Sequence, residues 1–400
     1  MRILQITNKV PFPTKDGGAI ACMNLTRGFK QHGCEVTVLA MNTLKHNVSL
    51  GEIPDSIKKL ANFELVDVPA SINKFDALVN FVFSRKPYNA VRFIDKNFSR
   101  KLVELLQINV YDIIQLEGLY VCPYIPLIKK YSNARVVYRA HNIEFEIWER
   151  AAQLERGWKR FYLNNLSKRI KRFETALLNT YDLLVPITGR DGQILDRLGN
   201  KKEKHISQTG IDTEQLVPNN TKLEFPSLFH MGSLEWAPNQ EGILWFIENC
   251  WPLIHEKYPR LRFYVAGRNA PGWLIDKLSV KGVVFEGEVA DAYEFMNTKA
   301  IMLVPLFSGS GMRIKIIEGM ALGKSIISTP IGAEGINVTN GTNVLIAQNV
   351  NEFVDAVEKL VENRELFNGI GKNAMEFIHE NFDNLATTAK LIDFYKQYST

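Results

Sequence analysis

Val304-Pro305-Leu306-Phe307-Ser308-Gly309-Ser310-Gly311-Met312-Arg313-Ile314-Lys315-Ile316-Ile317-Glu318-Gly319-Met320-Ala321-Leu322-Gly323 changes its pattern twice. An apolar, β-rich run over residues 300–304 closes at Val304. A loop of small residues follows, and from about Met312 to Gly323 the spacing turns helical. A strand feeding a glycine-rich turn and then a helix is the building unit of a parallel sheet. Small residues let a ligand approach the backbone, and a helix start offers free N–H groups and the positive end of the dipole. That combination suits a diphosphate. Arg313 and Lys315 add positive charge, and Glu318 is placed to accept hydrogen bonds from ribose hydroxyls. The competing reading is an ordinary strand–helix loop with an ion-paired surface glutamate.

The same unit recurs on both sides. In the first half, strands are expected over residues 2–7, 35–41, 64–68, 112–115, 135–138, 182–185 and 205–207. In the second half they are expected over 227–231, 261–266, 283–285, 300–304 and 325–328. Helical stretches separate most of them, which predicts an α/β protein with parallel sheets covered on both faces. Right-handed crossovers make such sheets doubly wound. The rhythm restarts near residue 227 after a stretch rich in Gly, Asn, Pro and Thr, so the linker is placed at 206–226. The expected domains are therefore 1–205 and 227–380, each Rossmann-like, facing a central cleft. Ligands of open α/β sheets bind outside the carboxyl ends of the strands, so the loops after strands are the place to look for chemistry.

A chain of 400 residues suits two domains of about 150–200 residues each. Apolar residues at 46% and charged residues at 23% exclude a disordered chain. No apolar run reaches the ~18 residues of a membrane helix, and the start Met1–Thr7 reads as a buried strand and not as a signal peptide. Cys22, Cys34, Cys122 and Cys250 are scattered, so buried free thiols of a cytoplasmic protein are expected. Neither they nor the histidines have metal-ligand spacing, and no metal or cofactor is expected. Residues 1–210 carry 32 basic and 20 acidic side chains (+12), whereas 211–400 carry 16 and 23 (−7), which together make the net charge of +5. This asymmetry bears on what the first half faces.

Three first-half segments stand out. Asn8–Gly18 follows the first strand, and Gly17-Gly18 at a helix start permits close approach of phosphate or sugar. It is not a dinucleotide fingerprint, which disfavours a dehydrogenase. Glu117 ends a central strand and His141 sits where another meets the cleft; a structural role for either stays open, beside an acceptor-side role for Glu117. Residues 156–173 hold seven basic and no acidic side chains, with Trp158, Tyr162, Leu166, Ile170 and Phe173 at helical spacing. This is a basic amphipathic helix. It either packs on its domain with a solvated basic face or docks on an anionic membrane surface. Nothing accompanies it that resembles a nucleic-acid module. Gly323-Lys324-Ser325 mimics the end of a P-loop, but it precedes a strand and lacks the upstream glycine.

The loop at 304–323 resembles the donor site of the large retaining glycosyltransferase family numbered four, which has the GT-B fold. That family carries two glutamates seven residues apart. Glu318-Gly319-Met320-Ala321 and Ser325–Pro330 match the second half of the motif, while Ser310 stands where the first glutamate belongs. A subgroup has this Gly-Ser-Gly-x-Arg-x-Lys form, and backbone amides of 310–312 are the expected substitute. Gly232-Ser233-Leu234-Glu235-Trp236-Ala237-Pro238-Asn239 is similar to a further loop of that subgroup, and Val265–Asn269 and Ile331–Ile336 also resemble the family.

The resemblance implies a metal-independent, retaining transfer from a nucleotide-diphosphate sugar to a glycan or lipid-linked saccharide. The first domain would take the acceptor and the second the donor. Gly17, Gly18, Gly232, Ser233, Arg268, Gly309, Ser310, Gly311, Met312, Arg313, Lys315 and Glu318 would bind the donor. His141, Lys315 and Glu318 would act in catalysis. The last helix, within 381–400, would cross back to the first domain. The implied location is cytoplasmic, including the inner membrane face, with polysaccharide assembly as the setting. Two rivals stay open: a nucleotide-sugar epimerase of the same fold and a non-catalytic sugar-nucleotide-binding partner.

Overall fold

The computed structural model describes every residue except Lys15, Ile72, Arg85, Asn220, Ser310, Ser399 and Thr400, and also omits the side chains of Lys74 and Leu78. The chain divides into two compact units, Met1–Gly210 with Asn384–Thr400, and Ile211–Asp383.

The first unit holds six parallel strands: β1 (Arg2–Thr7), β2 (Glu35–Thr43), β3 (Asn62–Val68), β4 (Ile113–Glu117), β5 (Arg135–Ala140) and β6 (Leu183–Pro186). Their order is β3-β2-β1-β4-β5-β6. The second unit holds β7 (Glu224–Met231), β8 (Phe263–Ala266), β9 (Val283–Gly287), β10 (Lys299–Val304), β11 (Ser325–Ser328) and β12 (Leu345–Ile346). Their order, β12-β11-β10-β7-β8-β9, is the same winding repeated. In each sheet the winding direction reverses between the first and fourth strands, β1/β4 and β7/β10. That reversal leaves a crevice at the strands' carboxyl ends.

Both faces of the first sheet are buried, and alternation along each strand decides which core a side chain joins. Leu4, Ile6, Leu116, Val136 and Tyr138 pack on one face, and Ile3, Ile113, Val137 and Val185 on the other. The second face is covered in part by the helices Gly17–Gln31 and Asn384–Tyr398. Their contact is close: a Cβ on Gly28 would lie 2.2 Å from Thr388 Oγ1. The last helix thus belongs to the unit built from the chain's beginning.

The structure departs from the sequence expectations in places. Residues 205–207 are not a strand; they run along β6 and hydrogen-bond to it from His205 and Ser207 without forming a ladder. β12 was not anticipated, because two residues carry no periodicity. β7 starts at Glu224, inside the stretch read as linker, and the two units meet at Gly210 and Ile211. The helix after the glycine-rich loop starts at Ile314 and not at Met312. All four cysteines are free and buried.

Candidate functional site

The central strands β1, β4 and β5 of the first unit carry buried polar groups that share one parity. Gln5 pairs across with Gln115, Thr7 with Glu117, and Glu117 with Arg139. Gln5, Gln115, Glu117 and Arg139 therefore face the same side and are buried there. Glu117 Oε1 accepts from Gln5 Nε2 at 3.1 Å and from Gln115 Nε2. Its Oε2 accepts from Arg139 Nη1 at 3.1 Å and from His141 Nε2 at 2.6 Å. Tyr395, from the last helix, donates its hydroxyl to Gln115 Oε1.

Burial pushes the Glu117 carboxyl up, but the Arg139 charge and the hydrogen bonds from His141 and Gln115 outweigh it and hold it at about 2. Burial likewise pushes His141 below its ordinary 6.5, and Arg139 and Lys9 add to that, against the pull of Glu117. Glu117 is thus an ionised carboxylate that only accepts hydrogen bonds, and His141 is neutral at pH 7. Nε2 must then carry the ring proton, which leaves Nδ1 as an acceptor. The acceptor-side expectation for Glu117 thus falls on a carboxylate that four protein donors already engage. Its side chain is 3% exposed and both oxygens accept from protein groups, one of them His141 Nε2.

Gly17 and Gly18 open the helix Gly17–Gln31 at the end of the β1 loop. Asp16 caps it, accepting from Ala19 N–H at 3.0 Å and from Lys9 Nζ at 2.5 Å.

In the second unit both loops of the β7/β10 crevice run into helix starts. After β7, the Gly232-Ser233 turn is pinned by Asn239 Nδ2 to Ser233 O at 2.9 Å and Gln240 Nε2 to Leu234 O at 2.7 Å. Gly232 has no room for a side chain: a Cβ would lie 2.6 Å from Asn239 Nδ2. Gly242, on the helix Ala237–Asn249, lets that helix pack on the carbonyl of Pro305, 2.1 Å from where a Cβ would sit.

The loop after β10 is tied down on its flanks. Ser308 Oγ donates to Glu241 Oε2 at 3.0 Å, and Thr329 Oγ1 to the Leu306 carbonyl. Gly309 and Gly311 take φ values of 98° and 82°, a region that favours glycine. Arg313 donates from Nη1 to Gly311 O at 2.7 Å and stacks 5.1 Å from the Trp236 ring centroid. The helix Ile314–Ala321 then starts without a side-chain cap; Ile316 N–H donates to the Arg313 carbonyl at 2.9 Å, and the N–H groups of Ile314 and Lys315 precede the first intrahelical hydrogen bonds.

Glu318 is buried on that helix. Its Oε1 accepts from Tyr293 Oη at 2.9 Å, and its Oε2 lies 2.8 Å from Lys315 Nζ. Tyr293 was missed by the sequence reading. It sits on the short helix Ala292–Thr298 after β9, and nothing in its spacing marks it. His230, at the end of β7, was also passed over. It is buried and donates from Nδ1 to Leu303 O at 2.9 Å, and burial lowers it to about 4.

The remaining candidates divide. Gly309, Gly311, Met312, Arg313, Lys315 and Glu318 share one loop and helix start, with Gly232 and Ser233 on the loop of the neighbouring strand. Arg268 follows β8, one strand further out, and its carbonyl accepts from Leu234 N–H at 2.9 Å. Ser310 lies outside the described residues. Lys324, the P-loop mimic, is buried and donates to the Asn297 carbonyl at 3.3 Å. Among the described residues, no group of His, Cys, Asp and Glu is arranged to hold a metal ion, and no helix is long and apolar enough to cross a membrane.

Comparison with known proteins decides the family. Residues 15–215 match the model described as Glycosyltransferase Family 4, and residues 225–363 the model described as Glycosyl transferases group 1. The chain belongs to glycosyltransferase family 4.

Its two six-stranded sheets match GT-B glycosyltransferase structures. HepE of Anabaena, solved with UDP, superposes with a TM-score of 0.72 at 13% identity over 99% of this chain and 100% of that one. Sucrose-phosphate synthase of Thermosynechococcus elongatus superposes with a TM-score of 0.71 at 14% identity over 100% and 99%. Curated relatives are more partial. A protein of the cps region of Klebsiella pneumoniae is 23% identical over 40% of this chain and 43% of its own length. A glycosyltransferase of Methanocaldococcus jannaschii is 35% identical over 21% and 24%. The chain thus spans less than half of the length of these relatives.

Proposed function

We propose that this glycosyltransferase moves a sugar from a nucleotide-diphosphate sugar to a glycan or lipid-linked saccharide, with retention of configuration and without a metal. The observation that carries the donor half is the second-unit crevice. An uncapped helix start, Arg313 and Lys315 converge there with Glu318, whose carboxylate is held by Tyr293 and Lys315. Helix N–H groups and cations bind a diphosphate, and a carboxylate binds ribose hydroxyls. Glu318 has lone pairs beyond those engaged by Tyr293 at Oε1 and Lys315 at Oε2, because each carboxylate oxygen has two. HepE was solved with UDP and with UDP-glucose, which makes UDP-sugars the first donors to try.

In the reaction the bond from sugar C1 to the phosphate oxygen breaks and a bond from C1 to the acceptor oxygen forms. The acceptor's proton passes to the departing phosphate oxygen on the same face. Arg313, Lys315 and the helix start stabilise the charge developing on the diphosphate, with Arg268 as a further candidate. His141 contributes an acceptor nitrogen to a sugar hydroxyl and need not change its protonation. The engagement of Glu117 by four protein donors disfavours an epimerase that would need it as an acid or base.

Thermal-shift titration against UDP, GDP and ADP and their sugars, followed by a search for transfer to saccharide acceptors, tests the reading. A ligand at a hundred times its Kd stabilises by about 2.7 kcal/mol. A shift with one nucleoside diphosphate supports the donor site. No shift with any of them overturns it and favours a non-catalytic partner; sugar inversion without an acceptor favours an epimerase.

A further inference from the structure

The helix Gly157–Leu177 buries Leu166, Ser167, Ile170 and Glu174, but its first turns do not pack down. Trp158 is 65% exposed and Phe161 56%, although the sequence pattern puts Trp158 on the same stripe as the buried Leu166. A second helix, Lys74–Phe83, lies against these turns. Its Phe81 ring meets Trp158 edge-on at 6.0 Å and lies against Tyr162 at 5.5 Å. Arg169 fastens the pair, donating to the carbonyls of Asn80 at 3.1 Å and Phe81 at 2.6 Å. The outer side chains of the second helix point to solvent: Phe75 is 71% exposed, Val82 61% and Phe83 84%. Together the two helices present exposed aromatic and aliphatic side chains that meet through Phe81 and Trp158. The exposed cations Arg156, Arg160, Lys168 and Arg172 lie along the long helix, and Lys86 follows the short one. Acidic groups nearby are Asp76, Glu155, which pairs with Lys159, and Glu144, Glu146 and Glu149 on the preceding helix Glu144–Gln153, where Glu146 pairs with Arg150 and Arg190.

We infer that this two-helix surface docks the protein on an anionic lipid bilayer. Its apolar groups are more than half exposed and include Trp and Phe, which suit the boundary between headgroups and acyl chains. The basic residues meet the negative leaflet while their stems reach along the apolar surface. A second copy of the chain would set one basic rim against another, which repels. The inference stands whether or not the donor site binds a nucleotide. It places the apolar half of the surface on residues 75–83 and 158–161, not along the whole of 156–173.

The test is flotation of the full chain with vesicles of phosphatidylcholine alone or mixed equally with phosphatidylglycerol. We expect binding to the mixed vesicles, weakened by salt, and about tenfold or more weaker binding to the neutral ones. Phe83→Ser/Trp158→Ser/Phe161→Ser and Arg156→Glu/Arg160→Glu should each reduce binding by about tenfold or more without moving the thermal transition. These side chains are exposed, so folding does not depend on them. Absence of binding to the mixed vesicles overturns the inference. So does unchanged binding of the serine variant, or a concentration-dependent dimer in light scattering that this variant abolishes.

Discussion

His141 Nε2 lies 2.6 Å from Glu117 Oε2, and the same carboxylate oxygen is 3.1 Å from Arg139 Nη1. One buried anion therefore serves two partners. It neutralises a guanidinium whose side chain is 1% exposed, and it fixes which nitrogen of the imidazole carries the proton.

This arrangement predicts an acid-sensitive fold. Both groups have folded values below their unfolded ones, Glu117 at about 2 against 4.5 and His141 below 6.5. As pH falls the unfolded chain takes up each proton first, so stability is lost below about 6.5 and further between 4.5 and 2. Glu117→Gln removes that second limb and leaves Arg139 without its counter-charge, at a cost of about 3–5 kcal/mol. Urea unfolding of both proteins across the pH range checks this; an unchanged acid limb in the variant disproves it.

At the donor site, Glu318→Ala should weaken nucleoside-diphosphate binding by about 1.5–3 kcal/mol, as expected for lost hydrogen bonds to a charged group. Tyr293→Phe removes one hydroxyl and should cost about 1 kcal/mol of the same affinity, with the protein still folded. Calorimetric titration with UDP measures both. Wild-type affinity in the folded Glu318→Ala protein would sink the assignment.

Gly309→Ala tests the shape of the loop. Its φ of 98° strains an alanine by about 1–2 kcal/mol. The added Cβ would lie 2.8 Å from Trp236 and 2.9 Å from Arg313 Nη2, displacing the stacked pair. Donor affinity should fall by more than the thermal stability does. Equal losses would mean that the loop is only structural.

Lys324 is buried, and burial lowers it from 10.5 to about 8. Its charged form is therefore more costly in the folded state, and stability should rise with pH between about 8 and 10.5. Lys324→Met should stabilise the protein at pH 7 by about 1–3 kcal/mol and leave nucleotide binding unchanged. Lost nucleotide affinity in that variant would revive the P-loop reading rejected above.

Much of the architecture was legible. Residues 2–7, 300–304 and 325–328 read as buried strands because a parallel sheet covered on both faces demands unbroken β-rich runs. The glycine-rich loop before Glu318 was legible because strand, small residues and helix follow one another locally. Gln5, Gln115, Glu117 and Arg139 had a signal that went unused, since each interrupts an apolar strand run at a parity that strand alternation makes meaningful. Residues 205–207 misled, because their run hydrogen-bonds to β6 from only some of its residues.

By itself the sequence determined the succession of strands and helices, the repeat of that succession in two halves, and the chemistry of the loop at 304–323. These depend on residues close together in the chain, where propensity and periodicity act. Only the tertiary structure decided which polar groups meet. Gln5 and Glu117 are 112 positions apart, Tyr395 and Gln115 are 280 apart, and Tyr293 reaches Glu318 from another element. Only the tertiary structure also separated the buried Ile170 from the exposed Trp158 of one helical stripe. The reason is physical: a side chain is buried when a distant segment packs on it, and strand order and winding decide which segment that is.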